Sequence, residues 1–358
     1  MVVSAVTGIY SFEQALAASS ETAGSRHLLL GNGFSIACRA DSFAYGKLFD
    51  EADFSALSIE AQSLFGLFGT ADFEQVIEAL RVSAAVLGLY EGPEGDLIEG
   101  IEADAGALKE ALAEVLARKH PDNVGDIEDG EYASVRTFLA NFDGQIYTVN
   151  YDLLLYWTLL QDAGPPVRKD DGFRADPDDA EAEWVIWDGY EGFSQRVFYL
   201  HGGLHLYDAG SQLKKITWVR TGIPLIDQIR EALAENVYPH VVTEGSSEQK
   251  LARIEHSPYL HRGLKSLNSC GGSLFVFGHS LAKNDEHVIA RIENSKVASV
   301  FVSLHGDPDS AENRAIRHRA ELMVERRALH EEPKSERRRN SLQVAFYDAD
   351  TAMIWARG

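Results

Sequence analysis

The sequence predicts an α/β fold in which a parallel sheet is flanked by helices. Short apolar runs recur along the chain, and stretches with helical periodicity separate them. Five of these runs end on small or polar residues, beginning at Gly31, Asn150, His201, Gly278 and His305. The runs are apolar throughout instead of alternating, which is typical of parallel strands covered on both faces. We therefore expect a Rossmann-like parallel sheet whose carboxyl edge carries polar residues.

The size and composition of the chain are compatible with one globular domain. Its 358 residues are 45% apolar, enough for a sizeable core, and we expect residues 1–358 to form a single α/β domain. The 55 acidic and 33 basic residues give a net charge of −22. This charge argues against a surface for duplex nucleic acid and against anionic membranes, and it most simply serves solubility.

Cysteine content and hydropathy indicate a cytoplasmic protein. Cys38 and Cys270 lie far apart and form no CxxC pair, which argues against disulfides and a structural zinc site. No basic residue precedes Arg26, so a secretory signal would lack its charged region. No apolar run approaches the roughly 20 residues of a membrane helix. We expect a soluble chain that binds no membrane.

The first strand leads into a glycine-rich turn. Ser11 is placed to cap a short helix over residues 11–19, and the apolar run His27–Leu30 follows. This run continues into residues 31–33, where two glycines permit a tight turn and the close approach of a ligand to the backbone. The next helix would direct its amide groups at an anion. Many strand–helix turns carry two glycines, so this motif alone is weakly specific.

Residues 45–140 predict a helical insertion, or cap subdomain, after the first strand. Asp72 is placed to cap a helix, with Gln75 three residues later as in a capping box. The acidic residues 91–104 predict a solvated connection. The apolar positions of the two main helices fall on one face each, at Phe73, Val76, Ile77 and Leu80 in the first and at Leu108, Leu112, Val115 and Leu116 in the second.

The central strand ends on an amide and a carboxylate. Residues 146–149 predict a buried strand that stops at Asn150 and Asp152, and an apolar helix begins directly afterwards. In open α/β sheets, ligands bind at this carboxyl edge. Both residue types also cap helices. We expect Asn150 to contact the ligand, and Asp152 to belong to the same site chiefly by holding the turn.

The rest of the chain predicts further alternation of strands and helices. Residues 161–195 predict an irregular insertion whose aspartates form a solvated face. Strands are expected at 197–200, 216–219, 274–277, 300–304 and 342–347, and helices at 223–236, 248–269 and 310–329.

Four short motifs follow the strands in a fixed order. They are Gly31-x-Gly33-x-Ser35, Thr148-x-Asn150-x-Asp152, His201-Gly202 and Gly278-His279-Ser280. Together with Asn284-Asp285 after the last one, they resemble the sirtuin-like NAD-binding domains, most of all a bacterial branch of that family. The motifs extend from residue 31 to 306, so the resemblance covers most of the chain.

The resemblance implies roles for the motif residues. Asn150 would hold the nicotinamide ribose or an attacking water, and His201 would be the general base. The remaining motif residues would contact NAD along its phosphates, ribose and adenosine, and they are Gly31, Asn32, Gly33, Ser35, Asp152, Gly278, His279 and Ser280.

Two departures from the sirtuin-like pattern argue against protein deacylation. A four-cysteine zinc module cannot form from two cysteines. The Pro-Asp-Phe-Arg segment that normally follows the glycine loop is replaced by Cys38-Arg39-Ala40-Asp41-Ser42-Phe43. The resemblance therefore implies an NADase that hydrolyses NAD to nicotinamide and ADP-ribose, as relatives that act in antiphage defence do. NAD would be the substrate, and no metal is expected.

Cleavage of the nicotinamide–ribose bond suits the residue types found here. The reaction passes through an oxocarbenium-like sugar, and an amide such as Asn150 orients ribose and water with one donor and one acceptor. A histidine titrates near pH 7 and can take the proton of the water. The leaving group is a cationic pyridinium and needs no strong acid. His205 is expected to be structural, because a His201/His205 metal pair would need helical spacing.

The same residue types are also compatible with other functions. Asn150 and His201 would equally serve a non-catalytic sensor module that binds NAD or another nucleotide, and His201 alone would also suit a buried core. A deacylase or an ADP-ribosyltransferase is a third alternative. Because an unregulated NADase would be toxic, we expect control by a separate sensor protein and assembly into a homo- or hetero-oligomer.

Overall fold

The computed structural model describes residues 8–90, 95–179, 181–187, 189, 195–210, 212–243, 247–332 and 339–357. Its strands, in chain order, are β1 (Arg26–Leu30), β2 (Ile146–Thr148), β3 (Phe173–Ala175), β4 (Trp184–Trp187), β5 (Val197–Tyr199), β6 (Leu206–Asp208), β7 (Leu213–Ile216), β8 (Gly271–Phe277), β9 (Lys296–Leu304) and β10 (Gln343–Asp348).

The α-helices surround these strands and vary widely in length. They are α1 (Phe12–Ser19), α2 (Gly33–Cys38), α3 (Ala40–Phe43), α4 (Tyr45–Glu51), α5 (Ala61–Phe68), α6 (Phe73–Leu87), α7 (Gly95–Lys119), α8 (Asp129–Leu139), α9 (Leu154–Leu160), α10 (Trp218–Thr221), α11 (Leu225–Ala234), α12 (Ser247–His256), α13 (Pro258–Ser269), α14 (Glu286–Asn294) and α15 (Ala311–Glu331).

A six-stranded parallel sheet forms the centre of the molecule. Its spatial order is β10-β9-β8-β1-β2-β5, and every neighbouring pair is parallel. In chain order these are the sixth, fifth, fourth, first, second and third strands of the sheet, which is the Rossmann order. The predicted α/β class, with a parallel sheet flanked by helices, is confirmed. The order reverses between β1 and β8, and this switch point is where such sheets bind ligands.

The register of the sheet explains its apolar sequence. Leu28 of β1 lies between Ile146 of β2 and Phe275 of β8, and all three side chains are buried. Helices cover both faces, so successive residues point into apolar surroundings in either direction. This is why the strands read as continuous apolar runs.

A second, antiparallel sheet occupies part of the chain that we predicted as irregular. Its order is β3-β4-β7-β6, so residues 161–195 contribute β3 and β4. The strand predicted at 216–219 is also wrong. Strand β7 ends at Ile216, and Trp218 begins the short helix α10. The predicted helix 248–269 is divided into α12 and α13 at Ser257-Pro258, where proline begins the new helix.

In the described part of the chain, helices α2 to α8 lie between β1 and β2. Asp72 caps α6 as predicted, because its carboxylate accepts from the amides of Glu74 and Gln75. The predicted solvated connection at 91–104 is wrong from residue 95 onward, since α7 begins at Gly95. Residues 91–94 of that prediction lie outside the described residues.

The insertion and the sheet share one hydrophobic cluster. It contains Phe73 and Leu112 from the insertion together with Leu28 and Phe275 from the sheet. All four are at most 1% exposed. The cap predicted for residues 45–140 is therefore joined to the sheet by apolar packing. A search of the helices in the described ranges found none with the length and hydropathy to cross a membrane.

Candidate functional site

The carboxyl ends of the six parallel strands meet at one cavity of about 890 Å³, which we call the strand-end cavity. It lies at the β1/β8 switch point. Tyr45, Glu74 and Leu112 of the helical insertion also line it. The strand-end residues that line it include Asn32 and Gly33 after β1, Asn150 and Asp152 after β2, His201 after β5, Gly278, His279 and Ser280 after β8, His305 after β9, and Ala349 and Asp350 after β10.

The glycines at the switch point hold two loops in direct contact. A Cβ added to Gly33 would lie 2.5 Å from the Cα of Gly278, and one added to Gly278 would lie 2.6 Å from the Cα of Gly33. Gly278 also has a φ of +66°, which favours glycine. The Gly33 amide donates to the Gly278 carbonyl over 2.9 Å. The glycine motif therefore allows backbone-to-backbone packing.

The amides of the glycine turn are already used within the protein. Gly31 donates to Phe277, Phe34 donates to Gly31, and Ser35 donates to Asn32. Helix α2 has six residues, so its dipole is small. The backbone amides of Gly31, Gly33, Phe34 and Ser35 are therefore not free to bind an anion. The expectation that this helix start offers them to an anion is wrong. Contact of these residues with NAD stays a prediction.

Asn150 lines the strand-end cavity and has one side-chain polar atom without a partner in the described residues. Its Nδ2 donates to the Gly31 carbonyl over 3.0 Å and to Ser35 Oγ over 2.9 Å. A carbonyl only accepts, so the identity of Nδ2 is fixed and both of its hydrogens are used. Oδ1 is buried and has no partner among the described residues. The expected donor role toward a ligand is therefore wrong, and Asn150 can only accept.

Asp152 holds the turn after β2. Its Oδ2 accepts from Ser35 Oγ over 2.5 Å, and its Oδ1 accepts from the Leu154 amide over 2.8 Å at the start of α9. Burial raises the pKa of Asp152 above its usual value, while these two hydrogen bonds oppose the rise. Ser35 is fully buried and reaches the cavity only through Asn150.

His201 lies at the end of β5 beside a second histidine. Its Nε2 is 2.9 Å from Nε2 of His287, the second residue of α14, so one ring donates to the other. Its ring also stacks near Tyr151. The side chain is 1% exposed. Burial lowers the pKa of His201 well below its usual value, although Asp285 opposes this, so His201 is neutral at pH 7. The expectation that this histidine titrates near pH 7 is therefore wrong.

Three charged side chains adjoin the two histidines. Lys250 Nζ lies 2.5 Å from Glu74 Oε2 and 3.4 Å from Asp285 Oδ1. Burial alone would raise the pKa of Asp285, but Lys250 and His279 lower it well below its usual value, so Asp285 is anionic at pH 7. His201, Asp285 and His287 place one possible metal-ligand atom each within 4.8 Å of one another.

Comparison with known proteins identifies a family for the chain. Residues 28–355 match the profile of the family described as "Domain of unknown function (DUF4917)". The chain belongs to this family. Curated proteins gave no match. Among solved structures, one described as "Structural Basis for the Mechanism and Regulation of Sir2 Enzymes" aligns with 88% of the DUF4917 chain and 99% of its own chain, at 13% identity and a TM-score of 0.33. These values are too low to assign a fold or an activity.

His205 of this DUF4917 chain lies apart from the strand-end cavity. Its ring packs against Tyr156 and Tyr199, with ring centroids 5.0 and 4.8 Å away. Within the described ranges neither ring nitrogen has a hydrogen-bond partner.

Several residues of the site escaped prediction from the sequence. Glu74, Ser247 and Lys250 were not singled out, whereas Asp285 and His287 were weaker candidates from the sequence. Glu74 and Lys250 lie in amphipathic helices, where one more charged residue does not stand out in the sequence. Their partners lie up to 176 positions away, which no local motif reveals.

Proposed function

We propose that this chain is an NADase that hydrolyses NAD⁺ to nicotinamide and ADP-ribose. The observation that carries the proposal is the buried, unpartnered Oδ1 of Asn150 in a cavity at the switch point of a Rossmann-ordered sheet. Dinucleotides bind at such switch points. A buried carbonyl oxygen without a donor is costly, and a ribose hydroxyl or a water would supply one.

The charge of the cavity favours the oxidised ligand. Asp72, Glu74, Asp285, Glu312 and Asp350 line it, and no Lys or Arg does in the described part of the chain. The positive nicotinamide ring of NAD⁺ is attracted to this lining, whereas the neutral ring of NADH is not. The diphosphate would rely on hydrogen-bond donors, and Ser280 and Asn284 lie in the lining.

The proposed step uses Asn150 and His201 in separate roles. Asn150 Oδ1 accepts from the ribose or from water and orients it. The water oxygen bonds to C1′, the C1′–N bond breaks, and its electron pair neutralises the pyridinium nitrogen. The proton of the water passes to His201. For this, His201 donates from Nε2 to His287 and keeps its Nδ1 lone pair free.

The test is chromatography of NAD⁺ incubated with the full chain in lysate. We expect nicotinamide and ADP-ribose from the wild type, and rates lower by about 100- to 10,000-fold for His201→Ala and at least about 100-fold for Asn150→Ala. Exposed residues outside the cavity lining give matched controls, Asn294→Ala and His318→Ala. Equal cleavage by all five proteins would refute these roles. NADH is the control ligand and should bind more weakly.

A second function is favoured by the contact between His201 and His287. If His287 donates to His201 Nε2, then His201 carries its proton on Nδ1 and has no lone pair for water. The chain would then be a sensor module that binds NAD⁺ without cleaving it. Calorimetry that shows binding, with no nicotinamide released in any condition, would support this function against the first.

Regulation forms part of the proposal. An unregulated NADase would deplete the NAD⁺ of its host, so we propose control by a separate sensor protein, in an oligomer that acts in antiphage defence. The purified chain alone should be much slower than the chain in the presence of that partner. Full activity of the isolated chain would contradict this part.

A further inference from the structure

Three ligand atoms from separate segments converge beside the strand-end cavity. His201 follows β5, Asp285 ends a 3-10 turn after β8, and His287 lies in the first turn of α14. The two Nε2 atoms are 2.9 Å apart, and Asp285 Oδ1 is 3.8 Å from Nε2 of His201. Two histidines and a carboxylate are a common ligand set for divalent transition metals.

The distances match one shared ion. A metal bound to imidazole lies about 2.1 Å from each nitrogen, so two such ligands at a right angle are about 3.0 Å apart. Opposite ligands can be at most about 4.2 Å apart. The observed 3.8 Å falls within this range, and the 2.9 Å between the two Nε2 atoms lies just below it. The third pair of ligand atoms, from Asp285 and His287, lies within the 4.8 Å that bounds all three.

The outer partners of the ligands are also in place. Ser247 Oγ lies 3.2 Å from Nδ1 of His287, and His279 Nε2 lies 3.1 Å from Oδ2 of Asp285. Such contacts orient ligating histidines and carboxylates in metal sites.

The local charge favours a cation. Lys250 faces two carboxylates, those of Glu74 and Asp285, which leaves one negative charge unbalanced. The side chain of Lys250 is fully buried and that of Glu74 is 8% exposed, so this charge is weakly screened. A divalent ion between the histidines would offset it.

We propose that His201, Asp285 and His287 bind a divalent transition metal ion such as Zn²⁺. Both Nε2 atoms then face the ion, so both histidines carry their proton on Nδ1. The Nδ1–H group of His287 then donates a hydrogen bond to the hydroxyl of Ser247. His201 loses the lone pair that the proposed hydrolysis needs. The bound metal therefore inhibits the enzyme. This inhibition rests on the proposed NADase function, whereas metal binding does not depend on that function.

The first experiment measures binding alone. The full chain is stripped with a chelator, and Zn²⁺ is titrated in competition with a chromophoric chelator. We expect one equivalent to bind to wild type and to His318→Ala, which removes an exposed histidine outside the cavity lining. Affinity should fall more than about 100-fold in His287→Ala, and about 10- to 100-fold in Ser247→Ala. Co²⁺ absorption should show the same ranking.

Outcomes of this titration are decisive. No binding by the wild type, or equal binding by wild type and His287→Ala, overturns the site. Circular dichroism of each variant checks that it is folded, and Ser247→Ala retains all three ligands if His287→Ala does not fold.

The second experiment adds Zn²⁺ to the NAD⁺ cleavage assay. Loss of cleavage at one equivalent, reversed by chelator, supports the inhibition. Binding without loss of cleavage overturns the inhibition and leaves the metal site standing. If no condition gives cleavage, the NADase proposal fails and the titration still decides the metal site.

Discussion

Asn150, Ser35 and Asp152 form a hydrogen-bond chain whose direction is fixed by chemistry. Asn150 Nδ2 must donate to the Gly31 carbonyl, Ser35 accepts its other hydrogen, and the Ser35 hydroxyl donates to Asp152. The chain joins the turn after β1 to the turn after β2. It leaves Asn150 Oδ1 as the one atom for a ligand. The sequence placed these residues at one edge of the sheet, but the direction of the bonds needed coordinates.

A second residue-level contact fixes the helix after the glycine turn. Arg39 forms a two-pronged ion pair with Glu131, at 2.8 and 3.1 Å, and Glu131 also accepts from the Glu128 amide at the start of α8. The Glu131 side chain is 2% exposed. We expect Glu131→Gln to lower the free energy of unfolding by about 1.5–3 kcal/mol at pH 7. Urea unfolding measures this, with the exposed Glu325→Gln as the unchanged control.

The same contact predicts a pH dependence. The hydrogen bond from Arg39 lowers the pKa of Glu131 below its usual 4.5, against the effect of burial. Its stabilisation is therefore full above about pH 4.5 and disappears as the pH falls through the lower folded pKa. The difference between wild type and Glu131→Gln should shrink from pH 7 to strongly acidic pH. A difference that is constant over this range would contradict the assignment.

At the scale of elements, the sequence predicted what burial and capping determine. Strands β1, β5, β8 and β9 were found because each contains a continuous run of buried apolar residues. The antiparallel sheet was missed because its strands β3 and β4 have only three and four residues. Acidic residues flank them, and no clear hydrophobic period marks them in the sequence. The first two turns of α7 were missed because the residues there are mostly exposed and acidic.

The contact between the β1 and β8 turns gives an element-level prediction. Gly278→Ala places a non-glycine residue in the left-handed backbone region, which costs about 1–3 kcal/mol of stability. The added Cβ would also clash with Gly33. We expect clear destabilisation in thermal and urea unfolding. The control is Gly106→Ala inside α7, where an added Cβ meets nothing within 4 Å. It should stabilise by about 0.5–1 kcal/mol. Equal effects of the two changes would exclude this packing role for Gly278.

At the scale of the molecule, one buried lysine connects the insertion to the sheet. Lys250 of α12 bonds to Glu74 of α6 and to Asp285 after β8, and Tyr151 after β2 donates to the same Glu74. These contacts surround the strand-end cavity. Glu74 and Lys250 are 176 positions apart, so no periodicity or motif predicts their pairing. Long-range polar pairs of this kind are the part of the site that the sequence could not provide.

Removal of this lysine tests how firmly the insertion is held. Lys250→Met leaves Glu74 and Asp285 buried without their cation, so we expect a loss of about 3–5 kcal/mol in urea unfolding at pH 7. The exposed Lys265→Met should change little. Adding Glu74→Gln to Lys250→Met should recover part of the loss, because one stranded charge is removed. Hydrogen exchange should become faster in α6 than in β8. If α6 and β8 are deprotected equally, Lys250 stabilises the whole fold and not the attachment of the insertion.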